Sequence, residues 1–397
     1  MNIFFKIAAL ISNGRRKVEP LSDAKSTPTD DVLVSDLLMW LCENGSHIHP
    51  KVAVKRIDEN DPNSPFGLIA IADLDSDEVI CHIPPHLIIM PDKYNVDDND
   101  CSTIDRVYDM MIADKPNPWA RYLLSQPRRF TPEFWSDAGK KMLSEMTSDK
   151  LPPQYINDTM DELDEDYGRD TNDEIYLHAA MMVKSRADYS FLVPFYDMTN
   201  HHNGKVNLKH EFNPFHDDIN IKESGYTIAT TKPVSSGDQL FLSYNQGNIC
   251  QEYFDWFGTP EIFQAYGFVE DYPQRWLFDL ARVKFDLDVD EESGKEVATF
   301  LVPPSQRGID MLKQELVRLE EFSEKHRAAD TADIHMPNHE WTLLWQYFDA
   351  LHNAISRCVE SNEPLSDEIW DAPHDWWVKD GTMKECDREE HYVRRSV

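Results

Sequence analysis

The chain has 397 residues, more than a single hydrophobic core usually supports, so its length predicts two domains or one domain with a helical extension. Its 39 basic and 72 acidic residues give a net charge of −33 at pH 7. A surface this acidic repels phosphate backbones and anionic lipids, which argues against a broad nucleic-acid-binding face and against membrane binding. The charge either attracts basic proteins or only keeps the protein soluble.

Cysteine usage and the N-terminal residues bear on the compartment. The six cysteines are widely spaced and form no CxxC pair, so they predict neither a zinc ribbon nor a dithiol redox site. They favour a reducing, intracellular compartment such as the cytoplasm, the nucleus or a plastid. The apolar run before Arg15 is interrupted by Lys6 and has its charge on the wrong side for a secretory signal. It is either a degraded targeting segment or an amphipathic turn, and no stretch approaches the ~20 apolar residues of a membrane span.

The first part of the chain predicts a flexible lead, a helix and a small β unit. Residues 1–33 form the lead, and we expect Ser35 to cap a helix, DLLMWLCENG, that ends at Gly45. Three runs with the apolar pattern of strands follow, separated by polar turns: KVAVKRI, LIAIADL and EVICHIP.

The rest of the chain alternates once more between helical and β patterns. From about Ser102 to Ala180 the apolar spacing is helical. β character returns in FLVPFYDM, GYTIATT and DQLFLSY, and after Trp276 the pattern is mostly helical to the end. The chain order is therefore a β unit, a helical insertion, a second β unit and a helical tail, which predicts an α+β fold.

Chemically informative side chains follow the strands of the second β unit. In FLVPFYDMTNHHNG an apolar run is followed by Asp197, Asn200 and His201, and polar side chains at the end of a buried strand tend to line a cleft. A later apolar run, DQLFLSY, ends on Tyr244. The segment QAYGFVED then places Tyr266 beside a glycine.

The segments PFYDMTNH, LFLSY and AYGF, in this order, resemble the SET domain of the Rubisco large-subunit methyltransferase type. Four further segments are similar to the family in the right order: WLCENGSHIHPKV, SPFGLIAIADLDSDEVICHIPPHLII, WARYLLSQPRRFTPEFWS and MMVKSRADY. The resemblance implies a SET-type β-fold of small sheets over residues 34–276, with a helical insertion at about 102–180. Residues 277–397 would form a mostly helical, substrate-binding domain.

The resemblance also implies roles for single residues. Tyr244 matches the family's catalytic tyrosine, and Tyr266 matches a second tyrosine of the substrate channel, where Asp197 would also lie. The cofactor, S-adenosylmethionine, would be bound by Phe66, Gly67, Leu68, Arg186, Asn200 and His201. A glycine lets the main chain approach a ligand closely, and a guanidinium suits the cofactor's carboxylate. The segment between Tyr244 and Tyr266 is longer than in the family and would either reshape the channel or block it.

Methyl transfer sets its own chemical requirements. The acceptor amine must be neutral, whereas a free lysine has a pKa of ~10.4. A nearby sulfonium and a desolvated channel both disfavour the ammonium form, and a tyrosine hydroxyl can orient the nitrogen lone pair. We therefore expect a monomeric protein-lysine methyltransferase that acts on a non-histone protein through a basic target segment.

Three other functions remain open at this point. The same scaffold could methylate a histidine ring, which the run PFGL weakly favours, or could be a catalytically silent module that binds peptides. The third is a metal-dependent hydrolase built on the histidine-rich loop around His201, His202, His210 and His216. These histidines lack matching cysteine or acidic spacing, so we expect no metal. The sequence has no G-x-G-x-G fingerprint, which disfavours a Rossmann-type methyltransferase.

Overall fold

The computed structural model describes residues 30–58, 64–91, 99–126, 131–153, 173–188, 190–213, 224–244, 257–301, 303–328 and 335–361. The helices in these segments are α1 (Asp30–Glu43), α2 (Asn99–Ile112), α3 (Pro118–Ser125), α4 (Asp137–Thr147), α5 (Glu174–Arg186), α6 (Thr259–Tyr266), α7 (Gln306–His326) and α8 (Asn338–Glu360). None of these helices is long and apolar enough to span a membrane.

The strands are β1 (His47–Ile48), β2 (Val52–Arg56), β3 (Phe66–Ala70), β4 (Val79–Ile83), β5 (Asn200–His201), β6 (Leu208–Asn213), β7 (Gly225–Thr230), β8 (Gln239–Leu242), β9 (Gln274–Phe278), β10 (Val283–Val289) and β11 (Glu296–Phe300). They form three small sheets with the strand orders β1-β4-β7-β6, β2-β3-β8-β5 and β11-β10-β9. The predicted α+β class is confirmed. Strands β2, β4, β7 and β8 lie in the runs that the sequence predicted, and β3 overlaps its predicted run but begins two residues earlier, at Phe66.

The first helix begins earlier than the sequence predicted. Helix α1 starts at Asp30, so Ser35 lies inside the helix and does not cap it. The predicted end is close to the observed one, because the helix stops at Glu43 and Gly45 follows with a φ of +94°. A glycine adopts this left-handed conformation without steric cost, which explains the chain reversal into β1. Of the predicted lead, residues 1–29 lie outside the described residues.

The segment FLVPFYDM is not the strand that the sequence predicted. Within it, Leu192 makes a single β-bridge to Ile89, and residues 196–198 form a turn of 3₁₀ helix. Pro194 has no backbone N–H for a ladder, and Phe195 has a φ of +74°, which no strand residue adopts. The chain therefore bends sharply before Asp197, and the bend directs the following residues toward β5.

The described residues pack around two hydrophobic cores. The first core combines β1–β8 with α1, α2, α3 and α5. The second core combines α4, α6, α7 and α8 with the sheet β9-β10-β11. Helix α4 thus lies within the predicted insertion of the first domain but packs with the C-terminal part of the chain.

Contacts between α4 and α8 account for this arrangement. Glu340 near the start of α8 is buried, and its carboxylate accepts hydrogen bonds from the backbone N–H (2.9 Å) and the hydroxyl (2.6 Å) of Ser136. Ser136 in turn caps α4, because its Oγ accepts from the N–H of Gly139 (3.2 Å). The Tyr347 hydroxyl donates to the carbonyl of Pro152 at 2.6 Å, just beyond α4.

The region after Trp276, which the sequence predicted to be mostly helical, begins with strands that were not predicted. The antiparallel sheet β9-β10-β11 occupies it up to Phe300, and α7 and α8 follow. The period-two pattern of Val283, Phe285 and Leu287, all buried, is typical of a strand with one face on a core. The long helices beyond Gln306 agree with the helical spacing read from the sequence.

Candidate active site

One small sheet brings together three segments that are far apart in the chain. In the order β2-β3-β8-β5, strand β8 lies between β3 and β5. It pairs with β3 in antiparallel fashion and with β5 in parallel, so that Asn200 lies opposite Phe241 and His201 opposite Leu242. Residues 66–68, 200–201 and 244 are therefore neighbours, as the sequence predicted for one site.

Tyr244 follows β8 and is held at both its backbone and its ring. Its N–H donates to Nδ1 of His201 at 2.9 Å, and its hydroxyl donates to the carbonyl of Thr199 at 2.6 Å. Its ring lies 4.6 Å from that of Tyr266, centroid to centroid, and 6.4 Å from that of Phe268. Tyr244 and Tyr266 are both half-buried. The two predicted channel tyrosines therefore form one aromatic wall with Phe268.

Gly67 lies in β3 directly against the side chain of Asn200. The Asn200 amide donates to the carbonyl of Phe66 at 2.9 Å. A Cβ on Gly67 would lie 2.8 Å from Asn200 Nδ2 and 2.7 Å from Gln239 Nε2, and would also collide with Ile57. Only a glycine lets these side chains pack so closely against β3. Since the side chains of Phe66 and Leu68 are buried in the first core, it is the backbone of 66–68 that faces this space.

Arg186 ends α5 and forms a buried ion pair with Asp197. Its Nη1 donates to the backbone carbonyl of Asp197 at 3.0 Å and to Oδ2 at 3.4 Å, and its Nη2 donates to Gln126 Oε1 at 3.4 Å. The side chain of Arg186 is 9% exposed and that of Asp197 is fully buried. Among the described residues, Arg186 Nε and Asp197 Oδ1 have no hydrogen-bond partner. Burying a polar atom without a partner is costly, so these two atoms are candidate contacts for a ligand.

Burial and charge act in opposite directions on this pair. Burial raises the pKa of Asp197 to about 6, although the charge of Arg186 and hydrogen bonds oppose the shift. Burial by itself would lower the pKa of Arg186, but the neighbouring Tyr122, Asp197 and Tyr244 outweigh it and raise that pKa. Arg186 therefore stays charged, while Asp197 titrates close to neutral pH.

A second aromatic cluster lies behind Asp197 and was not predicted. The ring of Tyr196 lies 4.8 Å from that of Tyr226 and 5.2 Å from that of His210. The Tyr226 hydroxyl donates to Asp188 at 2.9 Å. Burial raises the pKa of Tyr196 well above its usual value, and Asp188 and the channel tyrosines add to the shift. Tyr196 is therefore a neutral phenol beside the candidate site.

Glu270, four residues after Tyr266, is a site residue that the sequence analysis missed. Its carboxylate is fully buried and accepts hydrogen bonds from His201 Nε2 (2.6 Å), Asn203 Nδ2 (2.8 Å) and Thr259 Oγ1 (2.5 Å). The His201 side chain is itself only 1% exposed. The imidazole of His201 thus lies between Glu270 and the backbone of Tyr244, and any contact of His201 with a ligand has to come from its backbone.

The structure brings all nine predicted site residues together, on β3, the bend before β5, β5, the segment just after β8 and the ends of α5 and α6. Residues 245–256 of the long segment before Tyr266 lie outside the described residues, as does His216. Across the described segments, no group of three or more His, Cys, Asp or Glu side chains has the arrangement of a metal site.

A comparison with known proteins relates this region to a protein family. The family model of the SET domain matches residues 65–245. A curated relative, the uncharacterized protein C16C6.01c of Schizosaccharomyces pombe, is 22% identical over 295 residues, which is 63% of this chain and 58% of the relative. The match thus spans less than two thirds of that relative's length.

Two solved structures are similar at low sequence identity. The SET domain of LSMT bound to lysine and AdoHcy is 14% identical, with a TM-score of 0.48 over 83% of this chain and 92% of the other. Rubisco LSMT bound to AdoMet is also 14% identical, with a TM-score of 0.44 over 84% of this chain and 92% of the other. The family model covers strand β3, the Asn200–His201 pair and Tyr244. The SET resemblance inferred from the sequence is therefore confirmed for residues 65–245, which match the SET domain family.

Proposed function

We propose that this chain is a protein methyltransferase that transfers a methyl group from S-adenosylmethionine to a lysine nitrogen of a non-histone protein. The observation that carries the proposal is the placement of Tyr244. Its hydroxyl bonds to Thr199 and its ring packs on Tyr266, directly beside the Asn200–His201 pair. Membership of residues 65–245 in the SET family supports the same reaction class.

The residues around Gly67 fit a bound S-adenosylmethionine. The space over Gly67 is bordered by the amides of Asn200 and Gln239, and a Cβ would fill it. The unpartnered Nε–H of Arg186 is a donor suited to a carboxylate. The backbone of Phe66–Leu68, the side chains of Arg186 and Asn200, and the backbone of His201 would therefore hold the cofactor, which supplies the electrophilic methyl group.

The chain's own residues have to align the acceptor nitrogen and keep water away. The hydroxyl of Tyr244 donates its proton to the carbonyl of Thr199, so its oxygen would accept a hydrogen bond from an N–H of the acceptor amine and leave the nitrogen lone pair directed at the methyl group. The rings of Tyr266 and Phe268 line the wall next to it and exclude water. In such a desolvated site the pKa of an incoming lysine falls, so that its neutral form becomes accessible.

Asp197 is proposed to bind the substrate. Its Oδ1 is buried without a partner among the described residues, and its pKa of about 6 leaves it mostly ionised at pH 7. A carboxylate there would attract a cationic side chain into the channel. The net charge of −33 favours a basic target segment in the same way. We propose that residues 277–397, which contain α7 and α8, contribute the rest of the substrate-binding surface.

Thermal melting with the cofactor and its demethylated product tests the cofactor site. A ligand that binds only the folded chain, at one hundred times its dissociation constant, adds ~2.7 kcal/mol to the free energy of unfolding. We expect this stabilisation to persist in Tyr244→Phe and to disappear in Asn200→Ala. Asn353→Ala is the matched control, since the Asn353 amide donates to the Tyr272 hydroxyl beside the second core, away from Asn200. No stabilisation of the folded wild type at millimolar ligand would contradict the enzyme proposal.

Transfer of a tritiated methyl group to poly-L-lysine and to poly-L-histidine tests the reaction itself. Label in lysine that is lost in Tyr244→Phe supports the proposed activity. Label in histidine alone would replace it with the second candidate, a protein-histidine methyltransferase. Stabilisation by the cofactor without any label would favour the silent, peptide-binding module.

A further inference from the structure

Glu270 connects the two segments that carry the channel tyrosines. Among the described residues, hydrogen bonds to its carboxylate come from His201 in β5, from Asn203 in the turn after β5 and from Thr259, the first residue of α6. A fully buried carboxylate is costly unless such donors satisfy its lone pairs. The position of Glu270 is therefore determined jointly by both segments, and it constrains both in return.

The first connection runs through His201 to Tyr244. Nδ1 of His201 accepts the N–H of Tyr244, so it carries no proton, and the imidazole proton must be on Nε2. That Nε2–H then donates to Glu270 at 2.6 Å. Glu270 thus fixes the tautomer and the orientation of His201, and His201 fixes the backbone from which the Tyr244 ring projects. Asn203 adds a parallel path, because its Oδ1 accepts from the Ser243 hydroxyl at 2.7 Å.

The second connection runs through α6 to Tyr266. Thr259 is the first residue of this eight-residue helix and Tyr266 is its last. The Thr259 hydroxyl donates to Glu270 Oε1 at 2.5 Å, and Glu270 itself follows the helix in the chain. The hydrogen bond therefore links the start of α6 to the segment that follows the helix, and it helps to fix the position of Tyr266 at the end of α6.

We propose that Glu270 is a positioning residue that sets the distance between the rings of Tyr244 and Tyr266. The inference rests on the proposed function, since it takes these rings to line the site of methyl transfer. Glu270 lies beyond the residues that the SET family model matches, so the SET region depends on a side chain outside it. A purely structural carboxylate would instead affect the stability of the fold without moving Tyr244.

Selective ¹⁵N-tyrosine labelling of the full chain tests the proposal directly. Each of the two amide resonances is assigned by its absence from the spectrum of the labelled Tyr244→Phe or Tyr266→Phe variant. We expect both resonances to shift in Glu270→Gln, where a neutral acceptor polarises His201 less, and to shift further in Glu270→Met, which has no acceptor. Glu340→Gln is the matched control, because Glu340 is a similarly buried carboxylate whose hydrogen bonds to Ser136 lie beside the second core, away from both tyrosines.

Unchanged Tyr244 and Tyr266 resonances in a folded Glu270→Gln chain would overturn the proposal, whatever its melting temperature. If Glu270→Met does not fold, Glu270→Gln decides alone. Turnover on poly-L-lysine adds a second readout. Since small misplacements in an active site cost about 10²-fold in rate, we expect a loss of that order in kcat for Glu270→Met and a smaller one for Glu270→Gln. A kcat in both variants equal to that of the wild type would also overturn the proposal.

The two proposals fail in different ways. A wild-type chain that neither binds S-adenosylhomocysteine nor methylates poly-L-lysine would overturn the proposed function. The amide resonances would still decide whether Glu270 holds the two tyrosines in place.

Discussion

The guanidinium of Arg186 donates to two oxygens of Asp197, the backbone carbonyl at 3.0 Å and the carboxylate at 3.4 Å. This pair links the end of α5 to the bend before β5, and both side chains are almost entirely removed from solvent. A buried ion pair adds little net stability, because desolvation offsets the attraction. Removing one partner destabilises the fold, since the other charge then remains buried without a counter-charge.

Replacing Arg186 by methionine should therefore destabilise the protein by about 3–5 kcal/mol at neutral pH. Urea unfolding measures the change. The double variant Arg186→Met, Asp197→Asn is the control, and it should be more stable than Arg186→Met alone because no buried charge is left unpaired. Equal stability of the single and double variants would contradict a direct coupling between the two side chains.

Asp197 should make stability depend on pH in a definite direction. Burial raises its pKa to about 6 in the folded protein from 3.8, so the folded chain binds this proton more tightly than the unfolded chain. Asp197 therefore contributes fully to the free energy of unfolding below pH 3.8, its pKa in the unfolded chain. This contribution is lost as the pH rises through about 6. The total is on the order of 3 kcal/mol.

The measurement is urea unfolding of wild type and Asp197→Asn between about pH 5 and pH 8, where we expect a change of roughly 1 kcal/mol in the difference between them. The asparagine does not titrate, so the stability of the variant relative to the wild type should rise with pH. A difference that stays constant would mean that Asp197 does not titrate in this range.

Gly67→Ala should weaken cofactor binding more than it weakens the fold. The new Cβ would press on the side-chain amides of Asn200 and Gln239, which are flexible ends that move aside. The Asn200 amide would then leave the carbonyl of Phe66. We expect the dissociation constant of S-adenosylhomocysteine to rise about tenfold, or ~1.4 kcal/mol, by calorimetry.

Gly308→Ala provides the control for the Gly67 substitution. A Cβ at Gly308 meets the backbone carbonyl of Ala281, in the second core. This variant should lower the melting temperature and leave ligand affinity unchanged. If both alanine variants bind S-adenosylhomocysteine like the wild type, the space over Gly67 is not the cofactor site.

Glu340→Ala should destabilise the protein by removing both acceptors of Ser136. The N–H and the hydroxyl of Ser136 would be left without their partner, which costs about 1–3 kcal/mol for a buried group. Urea unfolding measures the change. Glu320→Ala, at an exposed position of α7, should stay within about 0.5 kcal/mol of the wild type. A Glu340→Ala variant as stable as this control would contradict the role of Glu340 in holding α4.

The elements that the sequence predicted are those with a local signal. Strands β3 and β8 are short apolar runs between turn residues, and α7 and α8 repeat their apolar residues at helical spacing. The sheet β9-β10-β11 had a signal too, in the alternation of apolar and charged residues along β10. The sequence prediction missed this sheet because the helical pattern beyond Gln306 is much longer than the three short strands.

Glu270 could not be found in this way. It is one of 72 acidic residues, and nothing in its neighbours distinguishes it from a solvated carboxylate. Its partners His201 and Asn203 are 69 and 67 residues away in the chain, so only the fold brings them together. The same holds for the Arg186–Asp197 pair. Both residues were predicted for the site, but the sequence did not predict that they contact each other.

The attachment of α4 to α8 through Ser136 and Glu340 has a practical consequence for dissecting the molecule. A fragment that ended after Trp276 would keep α4 but lose the surface that α4 packs on, and so would expose its apolar face to water. Such a truncated chain should self-associate when it is produced alone. A fragment that began after Trp276 would lack Phe263, which stacks on Tyr347 at 4.2 Å. We therefore expect neither half to fold by itself, and we expect the region that matches the SET domain to stay soluble only together with the helices that follow it.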